Sequence, residues 1–178
     1  MRFLRKRQCM VIVEWDDHPD LFPGSIRERF KASDYWNLRY CHALQTSSSV
    51  LASVLKIYNK NTFVVENAVN PLPLIDLEKH DSFYSRRVFL GNFNRYEENI
   101  SISRALRDWL ESEDSLTLVV IAQHGFDKTL FGERVEWHEA MPYQEYRKLL
   151  ATCQVALLPL CFGLPQSCKT PIKWMEAA

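Results

Sequence analysis

Neither charge sign is in excess: 22 Lys and Arg stand against 22 Asp and Glu in 178 residues. That balance argues against a nucleic-acid binder held by bulk positive charge. Long hydrophobic runs are also missing. The longest clean stretch, Leu116–Ala122 with Thr117 inside it, falls far short of the roughly 18 apolar residues a membrane span needs. Cys9, Cys41, Cys153, Cys161 and Cys168 are odd in number and contain no CxxC pair, which disfavours a disulfide frame or a zinc site. Read as reduced thiols, they predict a soluble cytoplasmic protein. The apolar stretch Cys9–Val13 behind the basic start Met1–Gln8 is too short for a signal sequence. That start reads as a solvated terminus, with weak peripheral contact to an anionic membrane as the alternative. No internal repeat or low-complexity tract is present.

The chain does have ample apolar material. With 47% hydrophobic, 12% aromatic and 25% charged residues it can fill one core or parts of two, and it is not a disordered chain. Cys9–Glu14 predicts a buried strand that stops in a polar loop kept irregular by Pro19 and Pro23-Gly24. His42–Thr46 predicts a second strand. Ser47-Ser48-Ser49 then offers N-cap candidates for a helix with Val50, Leu51, Val54, Leu55 and Tyr58 on one face, followed by a strand over Thr62–Glu66.

Pro71, Pro73 and the charged stretch Asp76–Asp81 give 70–86 the composition of a linker, and a domain boundary is expected there. The expected division is 1–75, a linker over 76–86, and a second domain over 87–178. In the second domain the alternation is cleaner. A strand at Val88–Leu90 precedes a helix from about Asn99 bearing Ile102, Ala105, Leu106, Trp109 and Leu110 at helical spacing. Strands follow at Leu116–Ala122 and Val135–Trp137. A helix opens with Pro142 at its first position and carries Tyr146, Leu149, Leu150 and Cys153 on one side. Val155–Leu160 is the next strand, a loop covers Cys161–Lys169, and Thr170-Pro171 opens a last helix. This alternation predicts an α/β fold of Rossmann-like parallel sheets, with ligands at the carboxyl ends of the strands.

The strongest candidate site is that last loop and helix. Gly163, Ser167, Lys169, Thr170 and Lys173 gather two cations, two hydroxyls and backbone amides, a combination suited to a diphosphate. Glu176, about two turns on, is placed to accept hydrogen bonds from a ribose diol. The same residues also fit a solvated helix start with an incidental Lys–Glu pair. Gly91 follows a strand and precedes a helix, so its missing Cβ would admit a ligand, and Asn92, Asn94 and Arg95 add polar tips; a bare strand-to-helix turn fits equally. His124 sits in the loop after the strongest strand, where a sugar or phosphate contact is expected. Asp16, Asp17 and Asp20 with His18 read as turn formers more than as a metal site. Cys168 beside Lys169 raises the option of a lowered thiol pKa. The tryptophans read as core or interface residues.

In order, the blocks TSSSVLASVLKIYNKNTFVVEN from Thr46, VFLGNFNRYEENISISRAL from Val88, MPYQEYRKLLATCQVALLPL from Met141 and KTPIKWMEAA from Lys169 resemble the GT-B-fold glycosyltransferases of the group 1 type. The resemblance implies a two-domain enzyme that transfers a sugar from a nucleotide-diphosphate sugar to a carbohydrate or glycoconjugate acceptor. The donor would bind mainly to the C-terminal domain, as a substrate, with no metal or other cofactor. It further implies that Gly91 is the glycine at the end of the first strand, that Glu176 is the second glutamate of the Glu-x7-Glu motif, and that Lys173 is the lysine before it. Cys168 stands where the first glutamate belongs and Asn92 where an arginine does. The chain ends before the next Gly-Pro strand, so the resemblance implies the middle and early C-terminal part of such an enzyme, truncated at both ends.

Two other readings stand beside this one. A nucleotide-sugar epimerase shares the architecture but needs acid/base carboxylates, and no convincing pair is visible. A non-catalytic nucleotide-sugar-binding or interaction module is the other. An unpaired strand such as Val155–Leu160 would then favour a homodimer.

Overall fold

The runs of β-branched and aliphatic residues do become strands, but the buried strand expected over Cys9–Glu14 shortens to Ile12–Glu14, with Ile12 and Glu14 exposed. The computed structural model describes residues 7–69, 86–91, 96–122 and 127–177, with the side chains of 96, 97 and 128 left aside. The linker expected over 76–86 therefore lies outside the described residues except for Arg86. The chain separates into two units: Met1–Ala68 with Phe162–Pro171, and Val69–Cys161 with Ile172–Ala178.

The first unit carries three parallel strands, β1 (Ile12–Glu14), β2 (Ala43–Thr46) and β3 (Thr62–Val64), in the order β1-β2-β3. Val13 registers with Leu44, and Leu44 with Thr62. Between β1 and β2 lie two α-helices not foreseen from the sequence, α1 (Gly24–Ala32) and α2 (Trp36–Arg39). Pro23 does not break α1. It stands at the N-cap with an extended backbone (φ −49°, ψ 145°), where its missing N–H is no loss. Between β2 and β3 runs α3 (Ser49–Leu55), which buries Leu51, Ala52 and Leu55.

Aromatic side chains hold the long β1–β2 connection. Trp15 meets Phe22 and Phe30 edge-on, with centroids 5.3 and 5.0 Å apart. Phe30 stacks on Tyr35, and Tyr35 meets Tyr58 at 4.6 Å. Pairs of this kind add about 0.5–1.5 kcal/mol each beyond the area they bury. The cluster continues through Leu38, Cys41, Leu44, Leu51 and Leu55 to Cys168, which is fully buried. Segment 162–171 includes a short helix not foreseen from the sequence, α6 (Leu164–Ser167).

The second unit has four parallel strands, β4 (Arg86–Leu90), β5 (Leu116–Ile121), β6 (Val135–His138) and β7 (Val155–Leu157), in the order β6-β5-β4-β7. Its helices are α4 (Tyr96–Ser112), α5 (Tyr143–Leu150) and α7 (Ile172–Ala177). Strand alternation divides β4 and β5 between two cores. Val88, Leu90, Leu118 and Val120 pack with Leu106 and Leu110 of α4, while Phe89, Val119 and Ile121 pack with Leu150 of α5. Covering both faces explains why Val88–Leu90 of β4, after its two leading arginines, and nearly all of β5 are continuous runs of apolar residues.

Several local expectations need adjusting. Pro142 caps α5 with an extended backbone (ψ 147°) and so stands one residue before the first helical position. The last helix begins at Ile172, after Pro171. Trp15 and Trp137 lie in or against the cores, whereas Trp36, Trp109 and Trp174 are exposed.

Candidate functional site

In a parallel sheet each strand ends with its carbonyls and following loop at the same edge, and a ligand crevice forms where successive connections leave in opposite directions. In the second unit the chain steps outward from β4 to β5 to β6, then crosses to β7 on the other side of β4. Gly91 stands at that reversal. Its N–H donates to the Leu157 carbonyl at 3.1 Å, tying the end of β4 to the end of β7.

A cavity of about 280 Å³ opens beside Gly91. Phe89 and Ile121 supply its floor from the ends of β4 and β5, and Met141 follows β6. Tyr143 and Tyr146 line it from α5, and Lys173 and Glu176 from α7. The volume is near the low end of the roughly 300–1,000 Å³ typical of small-molecule pockets, and the lining is apolar with few polar groups, as such pockets usually are.

Two polar contacts fix the charged pair. The Lys173 ammonium donates to the Gly91 carbonyl. The Tyr146 hydroxyl donates to Glu176 Oε2 at 3.1 Å. Burial first, then the Glu176 charge and this hydrogen bond, push the Tyr146 phenol well above its ordinary range, so it remains a neutral donor across the physiological range. Tyr143 also has a partner, accepting from an Arg147 guanidinium nitrogen at 3.2 Å.

Gly91 serves a different purpose from the one its position suggests. A Cβ there would lie 2.6 Å from Leu158 Cδ2 and 3.1 Å from Phe89 Cε1. The space left by the missing side chain is filled by packing, and Gly91 itself is buried.

Of the other expected site residues, Ser167, Lys169 and Thr170 belong to the first unit and have partners there. Ser167 Oγ donates to the Gly163 carbonyl within its own turn at 3.0 Å. Lys169 pairs with Asp17, and the Thr170 hydroxyl accepts from Asn67 Nδ2 at 2.9 Å. Because α7 starts at Ile172, Lys169 lies outside that helix, and helical spacing does not relate it to Lys173 and Glu176. Asn92, Asn94, Arg95 and His124 lie outside the described residues.

Burial raises the Cys168 thiol pKa, the reverse of the activation that its neighbour Lys169 suggested. The acidic loop after β1 is structural. His18 Nδ1 accepts from the Asp20 N–H at 3.1 Å, and Trp15 Nε1 donates to the Asp17 carbonyl at 2.6 Å. Among the described residues no group of three His, Cys, Asp or Glu side chains is placed to hold a metal ion.

Elsewhere in the second unit, Arg87 and His138 both reach Glu136, at 2.9 and 2.7 Å. Desolvation works against ionisation of Glu136, but the hydrogen bonds from His138 and Arg87, with the Arg87 charge, outweigh it and hold the carboxyl below its ordinary range.

Tyr146, Tyr143, Phe89, Ile121 and Met141 are pocket residues that sequence reasoning did not assign to a site. Tyr146 had read as one of several core residues on an amphipathic helix. Its hydroxyl is the one available signal, since a phenol on a buried face needs a hydrogen-bond partner.

No protein-family model matches this sequence, and neither does any curated protein. Among the described residues no helix is long and apolar enough to cross a membrane.

Proposed function

We propose that the second unit binds the nucleotide part of a nucleotide-diphosphate sugar, and that the chain is a glycosyltransferase or a piece of one. The observation that carries this reading is the meeting of Glu176 and Lys173 in an apolar pocket at the carboxyl end of a parallel sheet, beside the strand reversal. The resemblance of the sequence blocks to group 1 glycosyltransferases supplies the reaction.

In this reading the Glu176 carboxylate accepts from the ribose hydroxyls and the aromatic lining takes the apolar part of the nucleoside. Lys173 brings one positive charge to the side where the diphosphate leaves. Transfer breaks the bond between the anomeric carbon and the diphosphate oxygen and forms one to an acceptor hydroxyl. The acceptor's proton is released, and the nucleoside diphosphate departs with the bonding electrons. A fixed cation near the leaving oxygen lowers the cost of that charge without a metal.

A thermal-shift screen of the 178-residue chain against UDP, GDP, ADP and TDP, each with and without its sugar, tests the proposal. A ligand that binds only the folded state raises its apparent stability. A saturable rise for one nucleotide supports a donor site and names the base. A cooperative melt that none of them moves contradicts it.

A further inference from the structure

We propose that Tyr146 is the positioning residue of this pocket: by holding Glu176 Oε2 it aims the carboxylate at a ligand's vicinal hydroxyls and makes the site prefer ribonucleosides to 2′-deoxyribonucleosides. The inference rests on the nucleotide-binding reading above and concerns how that site selects its sugar.

The two partners differ in how firmly they are held. Tyr146 projects from the middle of α5, its ring edge-on to Phe89 with centroids 5.9 Å apart and beside Tyr143 at 6.0 Å. Leu150, one turn further along α5, is buried in the core under Phe89, Val119 and Ile121. The phenol oxygen is thus fixed by packing. Glu176 extends from the six-residue α7 on three rotatable bonds, and the Tyr146 hydroxyl is the one hydrogen-bond partner it has among the described residues. The rigid residue fixes the flexible one.

Removing that hydroxyl should therefore leave the pocket's shape intact and let the carboxylate turn through its other rotamers, at an entropic cost to each binding event. With Oε2 engaged, Oε1 presents its lone pairs in one direction. Two adjacent hydroxyls can satisfy them together, and a 2′-deoxyribose offers one fewer. A site organised to hydrogen-bond a hydroxyl rejects the analogue that lacks it far more strongly than an apolar pocket rejects a change of size. Burial keeps the Tyr146 phenol protonated, so it donates throughout the pH range of an ordinary assay.

The test is calorimetric titration of the full chain with UDP, GDP and ADP and the 2′-deoxy form of each. The variants are Tyr146→Phe, Glu176→Asp and the control Tyr143→Phe. The unmodified chain is expected to bind its preferred ribonucleotide at least tenfold tighter than the deoxy form. Tyr146→Phe should cut that preference to within about threefold, mainly by weakening the ribonucleotide. Glu176→Asp, one methylene too short to reach the phenol, should do the same with Tyr146 intact, so the inference stays testable if one variant folds poorly. Tyr143→Phe keeps the ring in the pocket lining and removes only a hydroxyl paired to Arg147, so any change in affinity it causes should fall equally on the ribo and deoxy forms. Equal binding of both sugars by the unmodified chain, or a preference that survives Tyr146→Phe, would overturn the role of Tyr146 while the nucleotide site stands. No binding of any of the six ligands, with TDP also without effect in the thermal screen, would overturn the nucleotide reading and this inference with it, whereas binding of TDP alone, whose sugar is a deoxyribose, would overturn the inference while the nucleotide site stands.

Discussion

The Ser48 hydroxyl joins two parts of the first unit that lie 120 residues apart in sequence, donating to the Cys168 carbonyl at 2.8 Å while accepting from the Leu51 N–H at 3.1 Å. One side chain thus caps α3 and holds segment 162–171 against the unit. The Cys168 side chain, fully buried in the same cluster, holds the segment from the apolar side.

Ser48→Ala should therefore cost more than a solvent-exposed cap. Loss of the cap and of the tie to Cys168 together predict about 1–3 kcal/mol of destabilisation. Urea unfolding followed by fluorescence measures it through Trp15, which sits in the affected core. Ser48→Thr keeps both bonds and should recover most of the loss.

Gly91→Ala should destabilise the second unit by about 1–3 kcal/mol, because the new methyl must displace Leu158 Cδ2 or Phe89. Leu158→Ala opens that space. Repeating Gly91→Ala in the Leu158→Ala background should therefore cost clearly less, and a double-mutant cycle from chemical denaturation reads the difference. Additive losses would show that Leu158 does not fill the missing Cβ.

The Glu136 carboxyl titrates below its ordinary value of 4.5 because His138 and Arg87 favour its charged form. A depressed carboxyl contributes stability above its unfolded pKa and loses it as pH falls through the folded one. The chain should accordingly lose stability on acidification below about pH 4.5, and Glu136→Gln should flatten that part of the curve while lowering stability at neutral pH. Denaturant midpoints between pH 3 and 7 give the comparison.

How much of this was legible in the sequence depends on where the stabilising partner lies. Leu116–Ile121 was readable because a strand covered on both faces must be apolar at nearly every position, and α4 because Leu106 and Leu110 repeat at helical spacing. By contrast α1 was hidden behind Pro23 and Gly24, which punctuate a loop and open a helix equally well. α2 starts from Tyr35 in a left-handed conformation (φ 51°) that few residues other than glycine adopt, and the partners that Tyr35 packs on, Phe30 and Tyr58, lie outside any local pattern. In the candidate site, Lys173 and Glu176 were found from their spacing on one helix. Lys169 and Thr170 were grouped with them by nearness in sequence, yet they pair with Asp17 and Asn67 in the first unit. Tyr146 escaped notice because its partner lies 30 residues away, and no periodicity links the two.

The proposed function stands or falls on binding of a nucleoside diphosphate by Glu176 and Lys173. Calorimetric titration of the chain and of Glu176→Ala and Lys173→Ala with the nucleotide chosen by the thermal screen tests it most directly. Glu176→Ala should weaken binding by about 1–3 kcal/mol, the usual cost of a charge-assisted hydrogen bond. Lys173→Ala should weaken the diphosphate more than the free nucleoside, because the charge is matched to phosphate. Unchanged affinity in both variants, with folding intact, would contradict the account.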